Sequence, residues 1–154
     1  MKTVIKCTDG SVQVMTLVEG ADLKTALRKW GDVNPGKYLS HRNMEDSAIP
    51  KDREFREAWA DITPEPMIDI DMVKARAIHL NRIRVKRNVE LARLDIEAIR
   101  AEDMGLVDEL TKIKAKKQIL RDLPQTIQID LDKAKTVEEL KAIQPAILNL
   151  VIIV

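Results

Sequence analysis

Cysteine, histidine, glycine and aromatic residues are all scarce in this chain of 154 residues. Cys7 is the single cysteine, which excludes an internal disulfide. With Cys7 and two histidines, His41 and His79, there is no persuasive set of metal ligands or nucleophile–base partners. The five glycines do not cluster, so there is no glycine-rich loop to cradle a phosphate. No segment reaches the roughly 18 apolar residues of a membrane span, and the most apolar stretch, "AILNLVIIV" at the C-terminus, is about half that length. The opening "MKTVIKCTDGSVQVM" has no apolar run of the kind a secretory leader carries. The net charge of +1 gives no general attraction to nucleic acid. In "IDID", Asp69 and Asp71 suit a divalent cation through alternate carboxylates. No third ligand is evident, and a strand end followed by a helix N-cap explains the pair more simply. The expectation is a protein with no catalytic site, no metal and no cofactor.

What is present is charge, at 33% of residues, together with enough apolar residues for a core. The four aromatic residues that do occur are unevenly placed. Phe55 and Trp59 fall together in "IPKDREFREAW", residues 49–59. Four apart, they would share one face of a helical turn. With Trp30 they are expected to form an apolar clasp that joins this segment to the helices further along.

The local signals predict an α+β chain in four parts. Residues 1–48 form a small N-terminal β-hairpin and helix piece. Asp9-Gly10 between two β-branched runs is a strong hairpin signal. Asp22 is placed as an N-cap for a helix carrying Leu23, Ala26, Leu27 and Trp30, which Gly31 should end. "KYLSH" is a candidate third strand. Residues 49–71 belong to an acidic connector, with one helical turn at 51–59 and then irregular or extended chain. From 43 to 71 it holds nine acids against three bases, and Pro50, Pro64 and Pro66 punctuate it. Residues 72–124 form a long antiparallel helical hairpin, with Asp71 as N-cap, a turn at Gly105 and a stop at Pro124. Residues 125–154 hold a short C-terminal helix, opened by a capping box of Thr136 and Glu139, and the apolar tail.

The first helix of the hairpin carries two apolar stripes. One holds Ile78, Val85, Val89, Ala92, Ile96 and Ile99, and its 4-3-4-3 spacing after Val85 is that of a heptad seam. The other holds Val73, Leu80, Ile83, Leu91, Leu94, Ala98 and Ala101. The second helix has one seam, Leu106, Leu110, Ile113 and Leu120, which covers only one of them. The spare stripe needs a cover, since each large aliphatic side chain buried contributes roughly 1.5–3 kcal/mol. The N-terminal piece, the apolar tail, a second copy or a foreign chain would serve, and cover from within the chain is preferred. The open end of the hairpin is basic: Arg82, Arg84, Lys86 and Arg87 on the first helix meet Lys116, Lys117 and Arg121 on the second. The acidic connector enters at this end and is the expected counter-charge. Nucleic acid is the sharper alternative, weakened by the absence of interleaved aromatics.

Four short boxes then follow in order. They are Pro50, Asp52, Arg53, Phe55, Arg56, Ala58, Trp59; Met72, Lys74, Ala75, Arg76, Ile78, His79; Lys117, Gln118, Leu120, Arg121, Asp122; and Glu139 to Ala142. Over about residues 46–145 this order resembles a group of small tailed-phage proteins, some of them described as tail assembly chaperones. The chain departs from that pattern after Pro145. The resemblance implies a virion-morphogenesis role, in which a phage tail or other virion protein is held through the spare seam. A structural subunit of the tail, fibre or capsid, with the seam as a homo-oligomer contact, is the alternative. The first role places the protein in the infected-cell cytoplasm and the second in the virion; neither calls for a membrane.

Overall fold

A computed structural model of the chain describes residues 1–61 and 67–151. Within it the chain divides into two units, Met1–Ala75 and Arg76–Val154.

The N-terminal unit is built on strands β1 (Lys2–Cys7), β2 (Val12–Met15) and β3 (Tyr38–Met44), in the order β2-β1-β3 and antiparallel throughout. The Asp9-Gly10 turn forms as the sequence predicts. Gly10 sits at φ +75°, a conformation that costs glycine nothing because it has no Cβ. Asp9 accepts from the Ser11 amide at 2.9 Å. Helix α1 (Leu23–Val33) starts where Asp22 accepts from the Thr25 amide at 2.8 Å. Gly31 does not end it: the helix continues to Val33, and the Asn34 amide closes it on the carbonyls of Trp30 and Gly31.

Residues 49–71 are more ordered than a connector. A three-residue 3-10 turn, Arg56–Ala58, leads into β4 (Trp59–Asp61), which pairs antiparallel with β5 (Ile68–Ile70). Ile49, Trp59 and Ile68 lie in one buried cluster with Val4, Val12 and Met44 of the sheet. The segment therefore completes the core of the N-terminal unit, because a three-stranded sheet of this size exposes one apolar face that needs cover. Asp61 forms an ion pair with Arg42 of β3. The sequence features at Pro64, Glu65 and Pro66 lie outside the described residues.

Helix α2 (Met72–Asp103) starts at the Asp71 N-cap, whose carboxylate accepts from the amides of Val73 and Lys74 at 2.9 and 3.1 Å. Gly105, at φ +68°, makes the turn to α3 (Val107–Lys133). Pro124 does not stop α3, contrary to expectation; the helix runs through it. The buried positions Ile113, Leu120, Leu123, Ile127 and Leu131 recur at helical spacing on both sides of the proline, so burial of a continuous seam outweighs the local defect. An interior proline costs a helix about 3 kcal/mol through its missing N–H and ring clash. Pro124→Ala is accordingly expected to raise stability by about 1–3 kcal/mol, read as a higher urea midpoint; an unchanged or lower midpoint would mean that the surrounding structure needs the proline's local distortion. Helix α4 (Val137–Ala142) carries the expected capping box: Thr136 Oγ1 accepts from the Glu139 amide at 3.2 Å, and the Glu139 carboxylate accepts from the Lys135 amide at 2.7 Å. A 3-10 turn follows at Ala146–Val151. The last part of the apolar tail lies outside the described residues. Among the described residues no helix is long and apolar enough to cross a membrane.

Candidate functional site

In the helical unit, α2 and α3 pair antiparallel, joined by the Gly105 turn at one end and tied by side chains along the rest. Near the open end, the Arg76 guanidinium donates to the carbonyl of Ala134, the C-cap of α3, at 2.7 Å and 3.2 Å. A cation is favoured there because the last carbonyls of a helix are unpaired and carry partial negative charge. His79 is buried and donates from Nε2 to the Ile143 carbonyl at 2.9 Å, which fixes the tautomer, since a carbonyl oxygen only accepts. It serves the packing of the C-terminal segment.

The middle of the hairpin contains a group that the sequence reading passed over. Glu90 is 0% exposed. Its carboxylate accepts from Arg93 Nε at 2.8 Å and from Lys116 Nζ of α3 at 3.1 Å. The hydrogen bond from Arg93 holds the Glu90 carboxyl below the usual glutamate range; burial works the other way, and Lys116 adds to the lowering. The signal was in the spacing. Ile83, Glu90, Leu94 and Ala101 are all buried and stand 7, 4 and 7 residues apart, so Glu90 occupies a seam position. A search restricted to apolar residues skips it.

The two stripes of α2 are thereby told apart. In the stripe of Val73, Leu80, Ile83, Leu91, Leu94, Ala98 and Ala101, Ile83, Leu94 and Ala101 are buried, Leu80, Leu91 and Ala98 are half-buried, and Val73, at its start, is exposed. The other is open: Val85, Val89, Ile96 and Ile99 are 57%, 59%, 54% and 59% exposed, and only Ile78, at its start, is half-buried. Within the helical unit no described residue covers these four. They form a row along one face of a long helix, with Ala92, also exposed, in its middle.

The basic residues of the hairpin do not form one bare patch. Lys116 pairs with Glu90, and Lys117 pairs with Asp95, both acids of α2. The Arg87 guanidinium donates to the neighbouring Asn88 side chain at 2.9 Å. Arg84, Lys86 and Arg121 are exposed, and Arg82 is half-buried. Like-charge stacking is thus relieved in part by carboxylates inside the hairpin, which removes some of the cationic surface a nucleic acid would need.

The three expected clasp aromatics separate. Phe55 and Trp59 are both buried, but the helical face meant to carry them is absent: they bracket the 3-10 turn, and Trp59 already has extended backbone. Trp59 packs in the N-terminal core. Trp30 is half-buried, donates from Nε1 to Gln13 Oε1 at 2.8 Å, and meets Tyr38 edge-on at 6.5 Å between ring centroids. Asp69 and Asp71 do not converge with a third ligand; among the described residues no three acidic, histidine or cysteine side chains come together. No protein-family model, curated protein or solved structure matches this chain.

Proposed function

We propose that this chain is a non-enzymatic assembly protein of a tailed phage that holds a virion protein through the open seam of α2. The observation that carries the reading is the row of Val85, Val89, Ile96 and Ile99, each more than half exposed on an otherwise well-paired hairpin. An amphipathic partner helix recognises such a row through anchors at helical spacing. The order of short sequence boxes, similar to that of small tailed-phage proteins, supports the setting. The 4-3-4-3 spacing of the seam also suits a second copy of the chain, as in a permanent subunit of the particle.

Mass spectrometry of purified particles beside the infected-cell lysate separates the two. An assembly factor is expected in the lysate and absent from particles, whereas stoichiometric presence in particles makes it a subunit. The seam itself is tested by Val89→Glu combined with Ile96→Glu. Both positions are exposed, so stability should change by no more than about 0.5 kcal/mol per site. Retention of the virion partner should fall at least about tenfold, since burying unpaired carboxylates against an apolar helix is strongly unfavourable. Full retention by a folded double variant would place the partner elsewhere.

A further inference from the structure

The N-terminal unit has a feature of its own. The Arg53–Trp59 segment and the sheet border a pocket of about 80 Å³. Three cations line it, Lys2, Arg53 and Arg56, together with the hydroxyl-bearing Thr16 and with Val14, Ile49 and Trp59 as its apolar part, and no acid among the described residues takes part. Lys2 is shared with Asp46 at 3.6 Å. Arg53 and Arg56 enter no ion pair among the described residues. The 3-10 turn brings them together, with the Arg56 amide bonded to the Arg53 carbonyl at 3.2 Å. Glu54 and Glu57, in the same segment, are exposed and do not line the pocket.

Trp59 supplies the second, independent observation. It is 2% exposed, and its Nε1–H has no hydrogen-bond partner among the described residues. A buried indole N–H normally finds an acceptor, because leaving it unpaired forfeits the bond it made to water. Trp30 behaves in the normal way, through Gln13. Besides cations and apolar groups the pocket lining holds the Thr16 hydroxyl, but the Trp59 indole bonds to none of these, and among the described residues no carboxylate lines the pocket to accept from it.

We infer that this pocket binds a small oxyanion, with Arg53 and Arg56 supplying the charge and Trp59 Nε1–H the directional hydrogen bond. Two guanidiniums without counter-ions and a buried donor without an acceptor, among the described residues, are met together by one anionic oxygen-bearing group. The size sets the class. Pockets for drug-sized ligands run to about 300–1,000 Å³, so this one takes a single carboxylate or phosphate group and not a nucleotide. The inference is independent of the seam, which lies in the other unit.

The test uses the full chain labelled with nitrogen-15 and follows its two indole N–H resonances. Sodium phosphate and sodium acetate are titrated at neutral pH against sodium chloride of matched ionic strength. The Trp59 resonance is expected to shift saturably with at least one oxyanion and not with chloride, while that of Trp30 stays in place. A response to phosphate alone identifies a phosphate site, and one to acetate alone a carboxylate site. In Arg53→Gln and Arg56→Gln, which alter exposed side chains, affinity should fall about tenfold for each charge-assisted bond lost, and the double variant should not saturate. A Trp59 resonance that ignores both oxyanions, or that moves equally in the double variant, overturns the assignment.

Discussion

Replacing Arg93 and Lys116 together by methionine is expected to destabilise the helical unit by about 3–5 kcal/mol, the range for stripping the partners from a buried charge. Glu90 is fully buried, and these two cations are what its carboxylate meets from α2 and α3. Either variant alone should cost less, because the remaining cation still pairs with the carboxylate. Glu90→Leu is the control. It removes the charge instead of stranding it, and replacing a buried ion pair by a packed aliphatic group is neutral or stabilising in many proteins. The pH dependence provides a second readout of opposite sign in the two proteins. In the parent, the Glu90 carboxyl lies below its ordinary range. Its contribution is therefore fully present above the glutamate range and is lost as pH falls through the lowered folded value. In the double variant burial alone acts, raising the folded value above the unfolded one. Stability should then increase as pH falls from neutral. Urea midpoints at neutral and mildly acidic pH decide this, and a double variant as stable as the parent would show that the Glu90 network contributes little.

The same residue marks the boundary of what the sequence revealed. Devices that act over a few residues were legible. Asp9-Gly10 makes its turn, Asp22 and Asp71 cap their helices, and Thr136 with Glu139 opens α4. Each depends on the geometry of three or four consecutive residues, so no distant contact is needed to predict it. The two-stripe pattern of α2 was legible for the same reason, as a matter of spacing. Which stripe would stay open was not, because that depends on α3 reaching past Pro124 to place Ile127 and Leu131, and on the ties from Arg76 to Ala134 and from His79 to Ile143. Burial of a long seam overrides the local preference of one proline. Residues 49–71 misled in a similar way. Their charge and prolines suggest a solvated connector, yet Ile49, Trp59 and Ile68 carry the segment into the core, with Ile70 packed against them and Phe55 and Ala58 also buried. The paired guanidiniums of Arg53 and Arg56 were visible as letters, but the unpartnered indole beside them is a property of the folded chain.

Trp59→Ala should cost about 3–5 kcal/mol, the usual range for truncating a large aromatic in a core. Trp59 shares its cluster with Val4 and Val12 of the sheet, Met44 at the end of β3, and Ile49 and Ile68 of the covering segment. Removing the indole opens a void between elements that are distant in sequence, where neither side can collapse freely. Trp30→Ala is the comparison. Its ring is half-buried and touches Tyr38 and Gln13 at the surface, so about 1 kcal/mol is expected. Equal losses at the two tryptophans would contradict the placement of Trp59 in the core. Trp59→Phe separates ring from donor. It keeps most of the buried apolar surface and removes an N–H that has no acceptor among the described residues, so its cost in anion-free buffer should stay below about 1.5 kcal/mol. A ligand that binds only the folded chain stabilises it in proportion to occupancy. If the Trp59 donor helps hold an oxyanion, the parent should gain stability in phosphate or acetate over chloride of equal ionic strength, and Trp59→Phe should gain less. Equal gains would assign the stabilisation to the arginines and deny the indole its part.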